Sequence, residues 1–258
     1  MALHLIAFAG SVSPNTDTEL PVVSDTVITQ PSATRIRIPA DLNTIDFAYA
    51  GSTNLLKAEF QAPSLEVRRM NLRIIPHNRG QIPAFPSNAM YDVPPADVSF
   101  VVTEDLSVIV RQGGAEAENV VVLLQLKTAG ARPAVPTGDV RLLRATGSET
   151  LAPFKWTRVT PIFDKALEPG EYAVIGFIPI SAGMIAARLI FPGAVYRPGT
   201  LGFAVDEYGA LTHDADFIPL YRDFEYGRFT HINPCMIECL SQSADTTQVF
   251  YFYVVKTA

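Results

Sequence analysis

The stretch VVVLLQLKTA at Val120–Ala129 has a counterpart in VFYFYVVKTA at Val249–Ala258, 129 positions further on. Both are runs of β-branched, leucine or aromatic residues that close on Lys-Thr-Ala, and such residues are typical of strands. In the first run apolar residues follow one another without alternation, which indicates a strand buried on both faces. The two runs therefore predict equivalent last strands in two β-units, ending at Lys127 and Lys256.

Two further patches of similarity occur in the same order. Leu42-x-x-x-Asp-Phe-Ala-Tyr-Ala-Gly51 matches Leu167-x-x-x-Glu-Tyr-Ala-Val-Ile-Gly176 at an offset of 125. Ile-Ile-Pro76 followed by Arg79-Gly80 matches Ile-Phe-Pro192 followed by Arg197-Pro-Gly199, and Ile74 and Ile190 are 116 positions apart. The patches predict that residues 42–129 and 167–258 are two copies of one unit, which favours a building block over a catalyst.

The composition indicates an all-β fold. The 20 prolines and 16 glycines are scattered among short apolar runs, so many turns are expected. Charged residues make up 18% of the 258 residues, against about 25% in an ordinary globular domain. This low share fits either a large core or a surface covered by partners, and the sequence leaves both open.

The predicted fold is all-β, with two tandem β-sandwich (jelly-roll-like) units and little helix. We assign residues 1–33 to an N-terminal arm and first strands, 34–130 to the first unit, 131–138 to a linker, and 139–258 to the second unit. The linker holds two prolines and no hydrophobic periodicity. The apolar start is expected to be a strand, an arm that docks on a neighbour, or a cleaved signal. Strands are also predicted at Leu65–Ile75 and Val98–Val102.

Several classes of function are not favoured. The net charge of −6 and the lack of a Lys/Arg run predict no direct contact with nucleic acid. No stretch is long and apolar enough to predict a transmembrane helix. The acidic segment His213–Asp216 could offer oxygen ligands to Ca²⁺, but a solvated loop is the preferred interpretation.

Catalytic patterns are also missing from the sequence. The four histidines (His4, His77, His213 and His231) show no metal-ligand spacing. Cys235 and Cys239 lie too far apart on a strand to bond each other, and their apolar neighbours predict buried thiols rather than a nucleophile assisted by His231. We expect no cofactor, no metal and no enzymatic activity.

Two arginines stand at matching places, each just before a glycine or a Pro-Gly turn. Arg79 and Arg197 would suit a repeated subunit contact, since arginine is enriched at interfaces. A solvated turn residue is the other interpretation, and the sequence does not choose between them.

The stretches Gly170–Gly176, Ala187–Pro192 and Arg197–Gly199 resemble coat sequences of phages and environmental viruses. With the duplicated unit and the apolar start, the chain resembles the double-jelly-roll major capsid proteins of icosahedral viruses and phages. The resemblance implies that each jelly roll packs two four-stranded sheets and that three chains form a pseudo-hexagonal capsomer. At 258 residues the chain has little room for the tower loops of larger members.

The resemblance implies a structural coat protein of the virion that is assembled in the host cytoplasm. Its partners would be further copies of itself, as a homotrimer within a lattice, and other capsid or penton proteins. The alternative is an extracellular or cell-surface binding protein, such as an adhesin, with tandem β-sandwich domains.

Overall fold

The computed structural model describes residues 2–68, 72–74, 76–78, 91–92, 98–130, 134–204 and 224–257. The chain divides into two compact units, the first unit at Ala2–Ala129 and the second unit at Gly130–Ala258. Strands account for 52% of the structure and helix for 2%, which confirms the all-β prediction. The predicted linker at 131–138 and the domain limits drawn from the sequence stay proposals.

The first unit is built from two sheets. One sheet has the order β1-β10-β4-β7 with β8 also paired to β4, and the other has the order β2-β9-β5-β6 with β3 also paired to β9. The elements are β1 (Leu3–Val12), β2 (Thr18–Glu19), β3 (Ile36–Arg37), β4 (Thr44–Ser52), β5 (Leu55–Gln61), α1 (Pro63–Val67), β6 (Leu72–Arg73), β7 (Pro76–Asn78), β8 (Tyr91–Asp92), β9 (Asp105–Gln112) and β10 (Glu118–Lys127).

The second unit repeats this plan. One sheet has the order β13-β11-β19-β14-β17 and the other β12-β18-β15-β16. The elements are β11 (Val140–Gly147), β12 (Thr157–Val159), β13 (Ile162–Phe163), β14 (Glu171–Ile180), β15 (Met184–Ile190), β16 (Gly199–Leu201), β17 (Gly227–Thr230), β18 (Met236–Ser241) and β19 (Gln248–Lys256).

In both units the chain passes repeatedly from one sheet to the other, as in a jelly roll. In each unit the last strand lies between the first strand and one other. β10 pairs with β1 and β4, and β19 pairs with β11 and β14. Lys127 and Lys256 therefore end equivalent last strands, as the sequence predicts. Every residue of β4 is buried, and so are the residues of β19 from Gln248 to Val255, because these central strands have both faces covered.

The register shows the duplication at the level of single residues in several strands. β5 and β15 carry a bulge at the same place, with Leu56 and Ile185 as the extra residues, 129 positions apart. The same offset relates β9 to β18, since Gln112 and Ser241 pair with Leu55 and Met184. The matching Lys-Thr-Ala endings relate β10 to β19 at that offset as well. One constant offset through three strands indicates a single shared backbone plan.

Two of the sequence patches are corrected by this register. Ala48 pairs with Leu124 while Gly176 pairs with Tyr253, so β4 and β14 correspond at an offset of 128 rather than 125. An error of three positions reverses the faces of a strand, since side chains alternate with a period of two. Ile190 ends β15 whereas Ile74 follows β6, so the second patch does not join equivalent positions.

Two predicted strands are also wrong. Leu65–Ile75 begins inside α1, which Pro63 starts because its fixed φ suits the first turn of a helix. Among the residues of that stretch that the structure describes, only Leu72–Arg73 is strand. Val98–Val102 contains a single bridge, between Ser99 and Thr44, rather than a strand. The apolar start forms β1. At one edge of β1 the Ala9 N–H donates to the Pro21 carbonyl, and the Val23 N–H donates to the Ala7 carbonyl.

Candidate functional site

Of the two arginines predicted at a subunit contact, Arg79 lies outside the described residues. Arg197 lies in the connection between β15 and β16, and its side chain points at Glu238 of β18. Its Nη1 donates to both carboxylate oxygens of Glu238 at 2.7 Å. The structure thus gives Arg197 an intramolecular partner, and its role in a subunit contact stays a prediction.

Glu238 is the centre of a cluster of charged and aromatic side chains in the second unit. Arg188 of β15 lies beside it in register and donates from Nε to Oε2 at 2.6 Å. The Arg188 side chain is 1% exposed, and its guanidinium carbon lies 4.2 Å from the centre of the Trp156 ring. Burial strengthens such charge-assisted and cation–π contacts and makes the loss of one partner expensive. The geometry gives this cluster a structural role.

The two cysteines are buried and free. Burial raises the pKa of both thiols well above the usual value, which suppresses the reactive thiolate. Cys239 pairs with Ala187 and Thr157 inside the sheet. The imidazole of His231 bonds elsewhere, because its Nδ1 accepts from the Gly170 N–H at 3.0 Å. The prediction that both thiols are buried is confirmed.

The remaining polar candidates do not form a reactive centre in the part of the chain that the structure describes. There, no group of three or more His, Cys, Asp or Glu side chains could hold a metal ion. His4 of β1 is fully buried and its Nε2 lies 2.9 Å from Oδ2 of Asp25. The segment His213–Asp216 lies outside the described residues. Likewise, the described part contains no helix of the length and hydropathy needed to cross a membrane.

In each unit a carboxylate accepts hydrogen bonds from one turn between strands. The turn joins β4 to β5 in the first unit and β14 to β15 in the second. In the first unit Glu118 accepts from the Ser52 hydroxyl at 2.8 Å and from the Asn54 N–H at 2.9 Å. In the second unit Asp245 accepts from the Ser181 hydroxyl and from the Ala182 N–H. Burial alone would raise the pKa of each carboxyl, but these hydrogen bonds outweigh it and lower the pKa.

The first unit also contains a polar cleft that the sequence did not predict as a site. The cleft has a volume of about 440 Å³, and its lining includes Ser107, which lies between the residues of β9 that pair with β2 and those that pair with β3. Its lining includes Arg35, Arg37, Glu19 and Asp105. In the sequence, Thr34–Pro39 alternates between polar and apolar residues, a pattern that predicts a half-buried strand with Arg35 and Arg37 on one face. It gave no sign of the acidic partners, which come from distant strands.

Each arginine of the cleft is held by one carboxylate. Arg35 Nε lies 3.1 Å from Glu19 Oε1, and Arg37 Nε lies 2.7 Å from Asp105 Oδ1. Burial would raise the pKa of Glu19, but hydrogen bonds from Ser107 and Arg35 lower it; the hydrogen bond from Arg37 likewise lowers the pKa of Asp105. Both carboxylates therefore carry full charge at neutral pH and orient the two guanidinium groups.

No family model matches the sequence, and a search of curated proteins gives no match. Among solved structures, the chain is similar to the major capsid protein P2 of bacteriophage PM2. The alignment covers 97% of this chain and 98% of that chain, with 10% sequence identity and a TM-score of 0.24.

Proposed function

We propose that the chain is a structural coat protein that assembles with copies of itself into a viral or phage shell. The observation that carries the proposal is the tandem of two jelly rolls related by a constant offset of 129 positions through three strands. Two equivalent jelly rolls in one chain can each make the same kind of lateral contact with a neighbouring molecule, and a closed lattice requires such repeated contacts.

The chemistry of the described residues supports a structural role. Buried Arg188 and His4 each lie against a carboxylate, that of Glu238 and that of Asp25, and both cysteines are shielded from solvent. In this proposal the chain is not an enzyme and needs no cofactor. It resides in the virion after assembly in the host cytoplasm and makes no direct contact with the genome. The assembly unit is a homotrimer within a lattice, which other capsid or penton proteins complete.

Assembly of the purified chain tests the proposal. Light scattering coupled to size-exclusion chromatography should give the mass of a trimer or a larger closed assembly, and negative-stain microscopy should show pseudo-hexagonal particles or shells. A chain that stays monomeric at every salt concentration and protein concentration tested would contradict the proposal. That result would favour the alternative of an extracellular binding protein with tandem sandwiches.

A further inference from the structure

The cleft between β2 and β3 presents two guanidinium groups whose outer edges are unused. Arg35 and Arg37 flank the buried Ile36, so both side chains leave the same face of β3. Their side chains are 53% and 46% exposed. Each guanidinium group is bound through its Nε. Within the described residues, the terminal Nη1 and Nη2 atoms of both arginines make no hydrogen bond.

This arrangement is suited to a carboxylate that comes from outside the cleft. A guanidinium held at Nε keeps a fixed direction, and its terminal N–H groups form a fork that matches a carboxylate in bidentate geometry. Fixing the arginine beforehand also lowers the conformational entropy that binding has to overcome. The volume of about 440 Å³ leaves room for the side chains of a short polypeptide segment.

The composition of the chain supplies the complementary charge. It has 26 acidic residues against 20 Lys and Arg, so carboxylates are in excess over cations. Among the acidic residues of the described part, Glu116 and Glu149 lie in connections and have no ion pair recorded through their carboxylates. A second copy of the same chain can therefore offer an acidic connection to the arginine pair.

We propose that the cleft lined by Arg35 and Arg37 is a contact site between copies of this chain, and that its occupant is a carboxylate-bearing connection of the neighbouring copy. The contact rests on the proposed coat function and names a pair of residues that the sequence did not assign to it. The repeated arginines Arg79 and Arg197 are not required for it.

Alanine variants of the pair test the contact. Arg37→Ala and Arg35→Ala are expected to raise the protein concentration needed for assembly by about tenfold each, which is the size of a moderate interface residue. Arg111→Ala is the matched control, because Arg111 is an exposed arginine of β9 outside the cleft and should change this concentration by less than about twofold. Thermal unfolding of all three variants verifies that they fold.

Cross-linking identifies the occupant. Arg37→Lys keeps the charge and introduces an amine that a carbodiimide joins to a carboxylate in contact with it; mass spectrometry of the assembled variant should find a link to an acidic residue of the neighbouring copy, traced by mixing isotope-labelled and unlabelled chains. Links confined to the carboxylates of the same cleft, Glu19, Glu66 and Asp105, would overturn the contact.

The two proposals fail in different ways. If the wild-type chain assembles and the cleft variants assemble at the same concentration, the contact is wrong and the coat function stands. If the wild-type chain never assembles, both are wrong.

Discussion

At the residue scale, the clearest mark of the duplication is a pair of backbone conformations. Asn15 and Phe154 have φ values of 54° and 53°, in the left-handed region that residues other than glycine seldom adopt. The N–H of each donates at 2.8 Å to the carbonyl of an equivalent residue, Gln112 or Ser241. The second copy keeps the conformation although phenylalanine suits it poorly, which shows that the surrounding strands impose it.

This conformation predicts how Asn15 responds to substitution. Asn15→Ala should lower the free energy of unfolding by about 1 kcal/mol, because an Ala Cβ is disfavoured at positive φ, whereas Asn15→Gly should be neutral or stabilising. Urea denaturation measures both, with Ser13→Ala as the neighbouring control. Equal stability of the alanine and glycine variants would contradict the conformation.

The buried cluster around Glu238 yields a second residue-scale prediction. Glu238→Ala should destabilise the protein by about 3–5 kcal/mol, because it leaves the Arg188 guanidinium, almost wholly buried, without its carboxylate. Glu168→Ala is the matched control: Glu168 also pairs with two cations, Arg141 and Lys256, but at the surface. That substitution should change the free energy of unfolding by at most about 1 kcal/mol. Similar losses for the two variants in guanidinium denaturation would count against the cluster.

At the element scale, the carboxylates that anchor the turns predict how stability depends on pH. The pKa of Asp245 is lower in the folded chain than in an unfolded one, so the charged form contributes stability above the unfolded pKa. That contribution is lost as the pH falls through the folded pKa. At pH 7, Asp245→Asn should cost roughly 1–3 kcal/mol of unfolding free energy.

The cost of Asp245→Asn should then shrink as the pH is lowered below about 4. Urea denaturation at pH 7 and pH 3 measures the change. Asp139→Asn, which alters an exposed carboxyl of the same unit, should have an effect within about 0.5 kcal/mol at both pH values. A cost for Asp245→Asn that is constant with pH would refute the role of the charge.

The elements also show what the sequence could and could not predict. β10 and β19 were predicted correctly, because a long β-branched or aromatic run has few other stable folds. The register of β14 was predicted three positions out, since short apolar patches match one another at many offsets and only the pairing with β19 selects one. Leu65–Val67 was predicted as strand because five residues are too few to show a helical period, although Pro63 marks the start of α1.

At the scale of the whole molecule, the sequence predicted the class of fold and the two-unit plan but not the candidate contact. Arg37 lies on the two-residue strand β3 and Arg35 just before it, and their partners Asp105 and Glu19 are 68 and 16 positions away. No local pattern encodes such a meeting, because it depends on β2 and β3 both pairing with β9. A local turn motif predicted Arg197 at a subunit contact but gave no sign of its partner Glu238, which only the pairing of β15 with β18 brings near.

The pairing of the first strand with the last sets the timing of folding during synthesis. Leu3 pairs with Lys127, so a ribosome that adds about 5–20 residues per second leaves β1 without β10 for roughly 6–25 s. An apolar strand with a free edge is prone to aggregate in that interval. The segment around Pro21–Val23 emerges almost at once and exchanges hydrogen bonds with Ala7 and Ala9. It therefore covers one edge of β1 early, while the opposite edge, where β10 pairs, stays open until β10 has been made. The first jelly roll can still close before the second has left the ribosome.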